Sequence, residues 1–277
     1  MISGHTKLIA HLGFPTTSFK ASMIYNPYFE KHGIDAVVVP MGCKADTYAA
    51  FLPLVFKLSN IHGALITMPH KITTVGLLDD ASKTVAVAGS CNAVRPGPGG
   101  TLIGDMFDGE GFVRGVLRRG RVLQGARVHV AGAGGVGSAI AASLAKAGVA
   151  TLSVFDAYAP NMIGLAERLR NHYPAIDVRT GSNDPAGYDV VVNATPLGMK
   201  DGDPLPMDVD RIAPSTFVGE VVMTTEITPF LAAARGRGCD YQIGTDMLFE
   251  QIPAYLEFFG FRSTTADELR SVARIEY

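Results

Sequence analysis

The chain has 277 residues, enough for one large domain or two medium ones with a substantial core. Its formal net charge of −2, with no block of like charges, argues against nucleic acid or an anionic membrane surface as a partner. Three scattered cysteines (Cys43, Cys91, Cys239) and dispersed histidines with no H-x-x-x-H pair argue against a disulfide frame or a metal site.

The apolar stretches stop short of the ~18 residues that span a bilayer, and the opening MISGHTKLIA lacks a secretory pattern. The expectation is a cytoplasmic protein. Lys7 to Gly13 is a short apolar run stopped by Gly13 and Pro15, and reads as a strand and loop. Ser22 to His32 carries Met23, Ile24, Tyr25, Tyr28 and Phe29 at helical spacing. Asp35 to Met41 is continuous and β-branched, Ala45 to Leu58 is helical in composition, and Gly63 to Thr67 is a buried-type strand. Three β-α units in succession predict a mainly parallel sheet with right-handed crossovers. Cys91 to Arg95 and Thr101 to Ile103 flank R-P-G-P-G-G, a hairpin pattern, and Asp108 to Leu117 reads as a helix leading into a second domain.

The alternation restarts at Arg127. The stretch RVHVAGAGGVGSAIAASLAKAG is an apolar strand, a glycine turn and an alanine-rich helix, the helix being expected over Ala139 to Lys146. Gly132, Gly134 and Gly137 fit G-x-G-x-x-G: the first permits the turn, the second lets the backbone approach a pyrophosphate, and the third packs helix on strand. The N–H groups of the helix start, spanning Ala133, Gly135 and Val136, would face the pyrophosphate along the helix dipole. Thr151 to Phe155 reads as the next strand and ends at Asp156, roughly the 20 residues on at which a carboxylate meets the ribose. Helices over Asn161 to Arg170, Pro229 to Ala234, Asp246 to Phe259 and Thr265 to Ala273, with strands over Ile176 to Arg179, Asp189 to Asn193 and Thr216 to Val222, complete the chain. The fold expected is α/β: a substrate domain of residues 1–107 plus 244–277, and a Rossmann-type nucleotide domain of residues 108–243.

Gly63 to Lys71 reads GALITMPHK, and a lysine just past the carboxyl end of a parallel strand points toward the crevice where open α/β sheets bind ligands. With it come GSCNA at Gly89 to Ala93, GDMFDGEG at Gly104 to Gly111, VNATPLGM at Val192 to Met199, TPFL at Thr228 to Leu231 and GTDMLFEQ at Gly244 to Gln251. Taken in order, these blocks resemble the shikimate/quinate dehydrogenase family over essentially the whole chain. The resemblance implies hydride transfer between NAD(P) and a cyclic secondary alcohol. It assigns Lys71 as the catalytic lysine and Asp108 as its partner, with Thr67, Asn92 and Gln251 binding ring hydroxyls. Asn193, Ala194, Thr195 and Gly244 join the glycine turn as cofactor contacts. The chemistry is coherent, since an alcohol losing hydride must also lose its hydroxyl proton, which a positioned lysine can take.

The departures from the family pattern are informative. Its two carboxylate-holding serines align with Phe19 and Ala21, its N-T before the aspartate with Met106 and Phe107, and a pocket tyrosine with Met223. Thr16, Thr17, Ser18, Lys20 and Ser22 are the nearby residues that could hold an anion instead. Asp156, with no arginine beside it, predicts that NAD is preferred, NADP remaining possible. The expected partner is a small-molecule substrate, and the expected state is a monomer or homodimer. A methylenetetrahydrofolate dehydrogenase-like enzyme and a non-catalytic nucleotide sensor are the competing readings.

Overall fold

The computed structural model describes residues 2–275. These form two compact units, one made of the residues up to Phe107 and those from Ile252 onward, the other of Asp108–Gln251.

In the first unit, β1 (Lys7–Gly13), α1 (Ser22–Lys31), β2 (Ala36–Gly42), α2 (Ala45–Val55) and β3 (Ile61–Ile66) follow the expected alternation. After β3 come α3 (Lys71–Val75), β4 (Asp80–Ala81), α4 (Lys83–Ala88), β5 (Ala93–Pro96) and β6 (Leu102–Asp105). The strands form one sheet in the order β2-β1-β3-β5-β6-β4. β1 pairs in parallel with β2 and β3, whereas β5 runs antiparallel to β3 and to β6, the hairpin expected around R-P-G-P-G-G. The short α3 and α4 and the two-residue β4 carry no periodicity long enough to read in sequence. Tyr25, Tyr28 and Phe29 of α1 and Tyr48 and Leu52 of α2 are buried with Ile9 and Leu12 of β1. Strand order reverses about β1, whose neighbours are β2 on one side and β3 on the other. The carboxyl ends of β1 and β3, at Gly13 and Thr67, therefore border the natural ligand crevice of this unit.

The second unit opens with α5 (Asp108–Arg118), then β7 (Arg127–Ala131), α6 (Gly135–Lys146), β8 (Thr151–Phe155), α7 (Ala159–His172) and β9 (Asp177–Thr180). It continues with β10 (Val190–Asn193), β11 (Phe217–Glu220), α8 (Pro229–Gly236) and β12 (Tyr241–Gln242). All its strand pairings are parallel, in the order β12-β11-β10-β7-β8-β9. This is the doubly wound dinucleotide-binding arrangement, with its switch point between β7 and β10. α6 starts four positions earlier than the alanine run suggested, directly from the glycine turn. Val191, Val218, Ile212, Phe230 and Leu231 pack together on the β10–β11 side of the sheet.

The chain closes with α9 (Gly244–Phe258) and α10 (Ala266–Val272). The division between units falls inside α9, at Ile252, rather than at its first residue. The packing of α5 on the first turns of α9 accounts for this. A side chain at Gly111 would strike the Met247 carbonyl and Gln251, and Arg119 pairs with Asp246 at 2.9 Å.

Candidate active site

In the first unit the site begins where β3 ends. Thr67 donates its N–H to the Leu12 carbonyl at 2.9 Å, which fixes the strand end beside Gly13. A Cβ on Gly13 would collide with the Thr67 methyl and fall 2.8 Å from Phe19, so Thr67 and Phe19 close over a position that only glycine can occupy. Lys71 opens α3, and its carbonyl accepts from Cys91 N–H at 2.8 Å, seating it one residue from Asn92. Asn92 is fully buried, and its Oδ1 accepts from Phe107 N–H at 3.0 Å. Its Nδ2 has no hydrogen-bond partner. A buried amide left half satisfied is costly unless a ligand completes it.

His11, which the sequence reading passed over as a strand residue, belongs to the same constellation. It is buried, its ring stacks on Phe19 with centroids 4.0 Å apart, and its Nδ1 has no partner. Burial, and then the nearby Lys71 charge, push its pKa down to about 3, so the ring is neutral. A histidine inside the apolar run KLIAHLG, two residues before the strand ends, was the available signal. Cys91 is also buried, and its thiol is pushed up to about 12, so it is an inert packing group.

Three of the residues suggested as alternative anion holders diverge. Ser18 is exposed and turned back on its own loop, with Oγ 3.5 Å from the Pro15 carbonyl. Lys20 is half-buried. Ser22 lines a separate depression of about 650 Å³ shared with Met23, Asn26, Asp35 and Arg274, which does not include Phe19 or Lys71. Phe19 and Ala21 are themselves buried.

In the second unit the glycine turn is held from several sides. Gly132 has φ 104°, and a Cβ there would meet the Ala194 backbone at 2.6 Å. One on Gly137 would overlap the Gly132 carbonyl, and one on Gly244 the Val222 carbonyl. Gly134 differs: apart from its chain neighbours, nothing lies within 4 Å of its missing Cβ, so there is open space beside the turn. Gly134 is the N-cap of α6, and no side chain caps that end. A helix start with no side-chain cap, beside such a space, fits a pyrophosphate.

Asp156 Oδ2 accepts from Ala133 N–H at 2.6 Å and Oδ1 from Tyr158 N–H at 2.8 Å, so the carboxylate buttresses the turn from the end of β8. Across the switch point Ala194 N–H donates to Ala131 at 2.7 Å, and Asn193 Oδ1 accepts from both N–H and hydroxyl of Thr195. The predicted residues Gly132, Ala133, Gly134, Gly135, Val136, Gly137, Asn193, Ala194 and Thr195 thus meet at one edge of one sheet.

Glu220 was not foreseen. It is fully buried at the end of β11, where it accepts from Thr228 Oγ1 at 2.7 Å and Asn193 Nδ2 at 3.3 Å. Burial outweighs those two bonds and lifts its carboxyl to about 7. Asp108, the first residue of α5, is buried, as is Gln251, whose Oε1 has no hydrogen-bond partner. Among the described residues no group of three or more His, Cys, Asp or Glu could hold a metal ion, and no helix is long and apolar enough to cross a membrane.

Known proteins of the same build bear on this arrangement. Residues 12–94 match the model of the shikimate dehydrogenase substrate binding domain. A shikimate dehydrogenase (NADP(+)) of Acidiphilium cryptum is 31% identical over 275 residues, covering 99% of this chain and 98% of its own. A shikimate 5-dehydrogenase from Listeria monocytogenes, solved in complex with shikimate and NAD, is 25% identical with TM-score 0.88, covering 98% of this chain and 97% of its own. The ligand-free 5-ketofructose reductase of a Gluconobacter strain is 25% identical with TM-score 0.85, covering 98% of each chain. Near-complete coverage at this identity, with the lysine, aspartate and glycine-turn blocks all in place, makes this chain a member of the shikimate dehydrogenase family.

Proposed function

We propose that this chain is an NAD(P)-dependent oxidoreductase that interconverts a secondary alcohol and its ketone. The observation that carries the reading is Lys71 at the ligand-binding edge of the first sheet, one residue from Asn92, whose buried amide nitrogen is left for a ligand. Lys71 takes the hydroxyl proton as the alcohol is oxidised and returns it to the carbonyl oxygen on reduction. Asp108 is its partner in handling that proton. Asn92 and Thr67, with Gln251, orient the substrate through its hydroxyl groups. The nicotinamide, when bound, supplies or accepts the hydride. Gly132 to Gly137 would hold its pyrophosphate, and Asn193 to Thr195 with Gly244 would complete that side.

Within that reading, NAD is the preferred form. The Asp156 carboxylate stands at the end of β8, where it can accept from a ribose 2′-hydroxyl but repels a 2′-phosphate. Initial rates with a panel of cyclic and open-chain alcohols and ketones, read by the absorbance of the reduced nicotinamide, test both statements. Turnover that disappears in Lys71→Ala supports the proton role, and kcat/KM with NADP equal to or above that with NAD refutes the preference.

A further inference from the structure

Phe19, Ala21 and His11 give this region of the first unit an uncharged wall, with Lys20, half-buried, between Phe19 and Ala21 in the chain. Phe19 lies buried against Gly13, its ring on the His11 ring, and Ala21 is buried two residues further on. His11 is kept neutral, partly by Lys71 itself. Two buried polar atoms in this region are without partners, His11 Nδ1 and Asn92 Nδ2.

What these atoms can bind follows from their chemistry. A hydroxyl both donates and accepts, so it satisfies the amide N–H of Asn92 and either tautomer of His11. A carboxylate only accepts; Asn92 Nδ2 can donate to it, but the Phe19 and Ala21 faces strip its water and offer no donor in return. Lys71 cannot serve as its permanent counter-ion, because a group that takes and returns the substrate proton is uncharged for part of each cycle.

We propose that the substrate of this site is an uncharged polyhydroxylated ketone, together with the corresponding secondary alcohol, and not a hydroxy acid. This rests on the hydride-transfer reading above for the reaction, but the preference in charge is a property of the wall and can be measured without turnover.

The test uses the full chain and two kinds of probe. Calorimetry compares shikimate with its methyl ester, which keeps the ring hydroxyls and lacks the charge. Initial rates with both cofactors compare 5-ketofructose, an uncharged polyhydroxy ketone, with 3-dehydroshikimate. The ester is expected to bind at least about tenfold more tightly than the acid, and the ketose to be reduced with the higher kcat/KM. Equal or tighter binding of the acid overturns the proposal, whether or not the acid is turned over, as does a higher kcat/KM for 3-dehydroshikimate. If the ester binds better yet no probe exchanges hydride, the charge preference stands and the hydride-transfer reading falls. Phe19→Ser supplies a second arm: it is expected to narrow the gap between ester and acid, and a gap that widens counts against the wall as its cause.

Discussion

The glycine turn of the second unit and the lysine edge of the first are built in opposite ways. Around the turn the protein satisfies itself: Asp156 takes two backbone N–H groups, Asn193 takes two donors from Thr195, and Glu220 takes one each from Thr228 and Asn193. Around Lys71, by contrast, buried polar atoms of His11 and Asn92 are left over. A dinucleotide presents the same pyrophosphate to every enzyme, so its site can be completed by backbone in advance. A substrate is distinguished by its own hydroxyls, and the groups that read them must wait for it.

The largest effect that would break this comparison lies at Lys71 and Asp108. Lys71→Ala and Asp108→Asn are each expected to lower kcat by on the order of 10² or more. On the proposal that both serve one proton, the double variant should lose far less than the product of the single losses. Steady-state kinetics on the three proteins checks this, and strictly multiplicative losses would separate the two residues into independent roles.

The two regions should also respond to pH in opposite senses. Glu220 has a raised pKa, so the folded chain holds a proton that the unfolded chain releases. Its contribution to stability is full below about 4.5 and is lost as pH rises through about 7. That rise corresponds to roughly 3 kcal/mol. His11 is lowered from 6.5 to about 3, so its contribution is present above 6.5 and is lost as pH falls toward 3. Denaturant midpoints against pH are expected to show Glu220→Gln removing the loss on the alkaline side and His11→Gln the loss on the acid side. A Glu220→Gln curve parallel to that of the unaltered chain would place this carboxyl at an ordinary pKa.

Two glycines in one turn give a smaller and sharper contrast. Gly137→Ala forces a methyl onto the Gly132 carbonyl and should destabilise by about 1–3 kcal/mol. Gly134→Ala places its methyl in open space, so thermal stability should hold while dinucleotide affinity falls. The reverse pattern would mean that Gly134 serves the fold and not the ligand. Least in size, Asp156→Asn keeps an acceptor for Ala133 N–H and removes the charge, and should move the kcat/KM ratio toward NADP by about tenfold, on the order of 1.4 kcal/mol.

The same contrast explains what could be read from sequence. The turn was legible down to single residues because glycine spacing there records backbone collisions at Gly132 and Gly137, which hold whatever surrounds them. The longer buried parallel strands, such as β3 and β10, were legible as nearly continuous apolar runs, whereas the two-residue β4 and β12 left no such run to read. The substrate wall was legible only in outline. Phe19 and Ala21 stood out against the family pattern, but nothing local revealed that Ser22 faces a different depression or that Ser18 folds back on Pro15. α1 begins at Ser22 as its spacing suggests, so those outcomes depend on how the preceding loop folds and packs. His11 and Glu220 were missed for a related reason: a polar residue inside an apolar strand is ordinary until its neighbours across the sheet are known.

The most direct measurement pairs two readings on one variant, Lys71→Ala: formation of reduced nicotinamide with a substrate that the unaltered chain oxidises, and the dissociation constant of NAD by calorimetry. Turnover should fall by on the order of 10² or more while NAD binds with unchanged affinity, because the turn proposed to hold it belongs to the second unit and the lysine to the first. Turnover equal to that of the unaltered chain, or a loss of NAD binding that tracks the loss of turnover, would contradict the division of labour described here.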